Sequence, residues 1–230
     1  MSTLIVAALA FVLLHLLVSG TRLRDTLTGT IGTNAYMGLF SLASLGLIVF
    51  LVMSYPLAKA DPIDHAYWTS TPATKMVQLG LMLVSFLLVV PGLTTPNPTS
   101  VRQEATLDRP DVVKGMLRIS RHPFLWGVAL WAAGHLLVNG DRAAIVLFGS
   151  LLVLAVSGTF SIDAKRKRAL GATWDGFAAQ TSNIPFAAIA SGRQSLKLGE
   201  IGWWRIALAV ALWGGTLFLH PIAFGVSPLP

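Results

Sequence analysis

The sequence contains no cysteine. Disulfides, thiolate nucleophiles and cysteine-ligated iron–sulfur clusters are therefore excluded, and any metal site must use His, Asp, Glu, Met or backbone. Charge is scarce as well. Only 12% of the 230 residues are Asp, Glu, Lys or Arg, about half the share of a soluble domain. There is no GxSxG, HExxH, P-loop or strand-associated GxGxxG, so the common hydrolase and nucleotide-binding signatures are missing. Asp61, Asp64 and Asp141 are not spaced as an acid–base pair. No internal repeat or low-complexity tract stands out.

What is present is apolar. Hydrophobic residues make up 54% of the chain and the mean hydropathy is +0.68. Six apolar stretches, at about 3–19, 36–55, 76–92, 123–139, 143–162 and 203–220, approach the length needed to cross ~30 Å of hydrocarbon. The expected class is an all-α integral membrane protein, a single domain over residues 1–230 built as a six-helix bundle. Leu4 to Val18 lacks the basic flank of a signal peptide and reads as a retained first helix. The net charge of +7 does not point to nucleic acid, because the charges flank apolar spans. Fourteen of the seventeen basic residues follow spans one, three and five. By the positive-inside rule those loops are cytoplasmic and both termini periplasmic, in a multi-pass protein of a bacterial inner membrane. Pro56 is expected to end the second helix and Pro91-Gly92 to break the third. Asn139-Gly140-Asp141 is a tight turn that makes a helical hairpin of spans four and five. Ser161 to Gln180 reads as an amphipathic cytoplasmic helix, with basic residues beside Leu170, Trp174 and Phe177, lying on an anionic membrane surface.

The stretch Leu117 to Asp141 carries most of the candidate chemistry. It opens on Arg118 and Arg121-His122-Pro123 and runs into an apolar helix that holds His135. An ionisable group within a membrane helix is costly and is read first as functional. His15, among leucines in the first span, is either bonded to a neighbouring helix or a metal or haem ligand. The small residues Ala132, Ala133 and Gly134 before His135 allow close helix packing or leave room for a planar cofactor. By helix rise, His15 lies ~10 Å and His135 ~21 Å from the basic edge. His122, at that edge, is an interfacial hydrogen-bonding residue or a contact for a propionate or phosphate. His65, His135 and His220 form at most a weak outer metal site.

Several ordered groups together resemble the NnrU family. They are His15…Ser19…Arg22-Leu23-Arg24, then Gly32…Tyr36…Ser41…Ser44, then Arg121-His122-Pro123…Gly127…Trp131…Gly134-His135. The tail Asp163…Lys165-Arg166-Lys167…Leu170-Gly171…Trp174…Phe177…Thr181-Ser182…Ile184-Pro185-Phe186 continues the likeness. The family includes bacterial proteins linked to nitrite and nitric oxide reduction and a plant carotenoid isomerase with a b-type haem. The resemblance implies haem b with His15 and His135 as axial ligands to the iron. His122 is the alternative partner of His15, and Arg118, Arg121 and His122 would lie near propionates or a lipid headgroup. It implies a haem-dependent isomerase of an apolar polyene substrate, or a partner of a nitrogen-oxide reductase system. Arg121-His122 with Asp163 to Pro185 also looks like membrane methyltransferases of the isoprenylcysteine carboxyl type, which use S-adenosylmethionine. A non-enzymatic assembly partner is a third reading.

Overall fold

A computed structural model describes residues 1–230. It is 73% helical, and only two very short strands interrupt the all-α class. The helices are α1 (Ser2–Leu13), α2 (Arg22–Ile31), α3 (Thr33–Lys59), α4 (Pro72–Thr94), α5 (Met116–Ile119), α6 (Pro123–Val138), α7 (Arg142–Leu170), α8 (Ala172–Gln180), α9 (Ala187–Ala190) and α10 (Trp203–Phe224). A π-helical turn, Leu14–Val18, continues α1. Strand β1 (Ala66–Thr69) pairs antiparallel with β2 (Asn139–Asp141) and ties two loops together at one end. Four helices, α3, α4, α7 and α10, are long and apolar enough to cross a membrane, and α1 with its π turn passes the same test jointly with α2 across a 78° bend. Helix α6 is apolar but only 16 residues long.

The long helices pack in a row, α10 against α4, α4 against α6, α6 against α7, then α1 and α3. The seam between α4 and α6 is set by glycine. A Cβ at Gly92 would stand 2.8 Å from the Phe124 backbone nitrogen, and one at Gly134 2.5 Å from Met82 Cε. Ser85 donates to the Gly127 carbonyl across this seam at 2.7 Å. The largest apolar core joins Leu4, Ala7 and Ala8 of α1 to Leu51, Ala132, Leu147 and Phe148. The flanks are different. Only 11% of the apolar window of α3 and 6% of that of α10 is buried within the chain. Leu39, Leu42, Met53, Phe218 and Ile222 are among the exposed side chains. Such continuous apolar surface calls for lipid around it.

The prolines act more weakly than expected from sequence. Helix α3 continues through Pro56 to Lys59, and α4 through Pro91 and Gly92 to Thr94. A proline deletes only its own N–H bond and displaces one carbonyl, which packed neighbouring helices outweigh. The tail also differs from a lipid-facing amphipathic helix. Helix α7 stops at Gly171, whose φ of 51° suits glycine. In α8, Trp174 and Phe177 turn inward and bury against Leu117.

Candidate functional site

The sequence Ser120-Arg121-His122-Pro123 links α5 to α6, with Pro123 at the first helical position where its missing N–H costs nothing. It runs beside residues 182–186, and the two segments are stitched by Arg121 N–H to the Ser182 carbonyl and Phe186 N–H to the Ile119 carbonyl. Ser120 Oγ and Trp126 Nε1 both donate to the Asn183 carbonyl, at 2.7 and 2.8 Å. This scaffold directs Arg121 and His122 at Asp163 of α7. His122 Nε2 donates to Asp163 Oδ1 at 2.7 Å, Arg121 Nε at 2.9 Å, and Asn183 Nδ2 donates to Oδ2 at 3.0 Å. The Arg121 guanidinium also closes on Oδ2 and lies over the Trp174 ring. One carboxylate therefore accepts four donors, which fills its lone pairs. Burial holds the His122 imidazole below its ordinary pKa, against the opposing pull of Asp163.

Beside this hub is a polar cavity of about 660 Å³, lined by Arg109, Lys114, Arg118, Phe177, Gln194 and Glu200 among others. Glu200 accepts from Arg118 Nε at 2.7 Å and from the Gly115 N–H at 2.9 Å. The Arg118 bond first, and then Gly115, hold the Glu200 carboxyl down to about 2. Arg118 thus sits in a different cluster from Arg121 and His122.

His15 lies in the π turn after α1. Its Nδ1 donates to the Phe11 carbonyl at 2.8 Å, and its Nε2 faces Ser44 Oγ at 3.3 Å. Phe11 and Phe40 flank the ring. His135 has the same tautomer, with Nδ1 donating to the Trp131 carbonyl at 2.8 Å. It stacks on Phe148, and its Nε2 has no hydrogen-bond partner. A histidine whose Nδ1–H is tied to a carbonyl presents an oriented Nε2 lone pair, the form in which histidines bind metals. Each ring alone fits an axial ligand.

Together they do not fit one haem as the helices pack. His15 is level with Ser44 of α3, whereas His135 is level with Phe148, which meets Tyr55 of α3. Tyr55 lies eleven residues beyond Ser44, so the rings differ by ~16 Å in height. The close-packed core of Leu4, Ala7, Ala8 and Leu51 lies at the His135 end of that interval. Gly134 serves the seam with α4. His122 is no free partner for His15, because its Nε2 is committed to Asp163. No group of three His, Asp or Glu is placed to hold a metal ion, so His65, His135 and His220 are not gathered.

Asp163, Asn183 and Glu200 complete the polar clusters, yet Asn183 and Glu200 carry no local signal in the sequence. For Glu200 the nearest hint is Arg118, since a buried guanidinium requires an acceptor.

Fold and site together define a helical protein suited to a lipid environment, with a carboxylate-centred arginine–histidine hub at its basic end. The chain belongs to the NnrU family, whose model, described as NnrU protein, matches residues 3–228. It is 28% identical over 230 residues to the 15-cis-zeta-carotene isomerase, chloroplastic, of Arabidopsis thaliana, covering 96% of this chain and 61% of that protein. It is 27% identical over 211 residues to the protein of the same name from Zea mays, covering 87% and 55%. The chain thus spans little more than half the length of these curated relatives. No solved structure matches it.

Proposed function

We propose that this chain is a membrane-embedded isomerase of a linear polyene, moving one double bond between cis and trans. The observation that carries this reading is the alignment of 96% of the chain with a 15-cis-zeta-carotene isomerase. The bundle's apolar flanks suit a substrate dissolved in lipid. In this reading the basic end faces the cytoplasm of a bacterial inner membrane. A b-type haem, as the resemblance implies, belongs to the proposal with one protein ligand favoured. His135 keeps a free Nε2, whereas Ser44 engages that of His15. Haem in such a site supplies redox chemistry through its iron. The chain's own part is to orient the imidazole through Trp131, flank it with the Phe148 ring, and hold the basic end rigid through Asp163.

The test is reconstitution of the purified chain in vesicles with 15-cis-zeta-carotene, followed by chromatographic separation of isomers. Conversion beyond the protein-free rate supports the reading; its absence from haem-replete protein, with and without dithionite, overturns it.

A second reading has one observation in its favour. Arg121, His122 and Asp163 do converge, and a cavity large enough for a nucleoside-sized ligand, lined by Arg118, Phe177 and Glu200 and not by the three themselves, lies at the same basic end. Methyl transfer from S-adenosylmethionine predicts saturable binding of that molecule by calorimetry, lost in Glu200→Gln. No heat of binding would sink it.

A further inference from the structure

A second cluster of cations lies away from the hub, at the corner where α2 turns from the first span. Arg24 of α2 sits over the ring of Tyr36 at 5.7 Å from its centroid. Lys165 of α7 is close enough to Arg24, Arg166 and Arg168 to feel their charge, with Glu104 the one acid that opposes them. Glu104 bonds Arg166 and also lies in the field of Arg24. Arg24 meets one further acid, Asp25, at a loose 3.7 Å. Four cations therefore share two carboxylates.

Three donors at this corner are unused. The Tyr36 residue is only 4% exposed and its hydroxyl has no partner. Arg166 is 8% exposed, and its Nε has none either, although its other nitrogens serve Glu104 and the Ser100 carbonyl. Lys165, half-buried, makes no hydrogen bond or ion pair with any group of the chain. Burying a donor without an acceptor costs about 1–3 kcal/mol, more for a charge. Like charges held together cost more again. A missing acceptor with negative charge resolves both costs.

We propose that this corner binds a phosphate group, held by Arg24, Lys165 and Arg166, with the Tyr36 hydroxyl as a neutral donor. Phosphate matches the site because it accepts several bonds at once and carries the charge that the cluster lacks. A lipid headgroup and a free phosphate share this chemistry. The exposed basic residues of the same stretch are different in kind. Lys167, for example, points to solvent and pairs with Asp175 at 3.2 Å.

The experiment uses the full chain, delipidated in detergent. Native mass spectrometry with phosphatidylglycerol and phosphatidylcholine tests the lipid source. Calorimetry with inorganic phosphate tests the soluble one. Retention of phosphatidylglycerol over phosphatidylcholine, or saturable phosphate binding, is expected. Binding of whichever is the ligand should weaken about tenfold in Lys165→Met, the loss of one charge-assisted contact. Tyr36→Phe should weaken it about threefold, as for one neutral bond. Lys167→Met should leave it unchanged. Because Lys165 has no partner in the chain, Lys165→Met should melt no lower than the parent when phosphate and lipid are absent. Equal loss in Lys165→Met and Lys167→Met would reduce the effect to general surface charge and overturn the site. So would unchanged binding in Lys165→Met, a lowered melting temperature for it without ligand, or binding of neither ligand by the parent.

Discussion

Asp163 shows how much of the basic end depends on one side chain. Its carboxylate receives Arg121, His122 and Asn183, so its removal leaves a guanidinium with no acceptor in a site that is 12% exposed. Breaking a buried pair from one side costs about 3–5 kcal/mol. Asp163→Ala should therefore lower stability by roughly 3 kcal/mol, and Asp163→Asn by less, since an amide oxygen still accepts. Thermal unfolding in detergent would rank the two; equal stabilities would remove Asp163 from this role. Glu200 gives a pH test. Its folded pKa of about 2 lies below the ordinary 4.5, so the folded state binds its proton later than the unfolded state. The Glu200 contribution is then complete above pH ~4.5 and is lost as pH falls toward 2. Melting temperature should drop over that window in the parent, and less steeply in Glu200→Gln. At this scale the sequence was half legible. Arg121 and His122 stood out beside a proline, and the family pattern marked His15 and His135. Asn183 and Glu200 did not stand out, because polar loop residues acquire their partners only when segments 20 to 85 positions apart are brought together.

At the scale of the helix, the seam between α4 and α6 separates glycines that matter from glycines that do not. A Cβ at Gly92 meets backbone of Phe124, which cannot yield, whereas one at Gly134 meets the flexible end of Met82. Gly92→Ala is expected to destabilise by about 2 kcal/mol, as overpacking does. Gly134→Ala should cost less than about 1 kcal/mol, because a methionine terminus readily changes rotamer. Equal melting points for the two variants would mean that the seam is looser than its geometry. Apolar periodicity and length located the long helices well, since hydrocarbon-length runs leave little choice. Turn residues located their ends less well. Pro56 and Pro91 look like stops in isolation, yet each lies inside a helix whose flanks are held by neighbours. The π turn at His15 and the inward face of α8 have no local signature at all. Both are decided by what packs against them, Ser44 and Phe40 in one case and Leu117 in the other.

For the whole molecule, charge and apolar surface act together. The flanks α3 and α10 turn exposed leucine, methionine and phenylalanine outward, so the chain is placed by lipid, while basic residues decide which way it faces. One end carries the paired strands β1 and β2. The opposite end gathers Arg102 against Asn34, Arg166 against Glu104, Arg118 against Glu200 and Arg121 against Asp163. By the positive-inside rule, an end so rich in Lys and Arg is expected on the cytoplasmic side of a bacterial inner membrane. The missing cysteine makes this testable without background, because any introduced thiol is unique. Ser70 lies just beyond β1 and Ser195 in the loop before α10, both exposed, and serine to cysteine changes one atom at each. In intact bacterial cells with a permeable outer membrane, an impermeant maleimide should label Ser70→Cys and leave Ser195→Cys unlabelled until the inner membrane is opened. The reverse pattern would invert the orientation, and labelling of both in intact cells would mean that these two loops lie on one side. In that event the antiparallel path that carries α4, α6, α7 and α10 between the two ends could not describe the chain in its membrane.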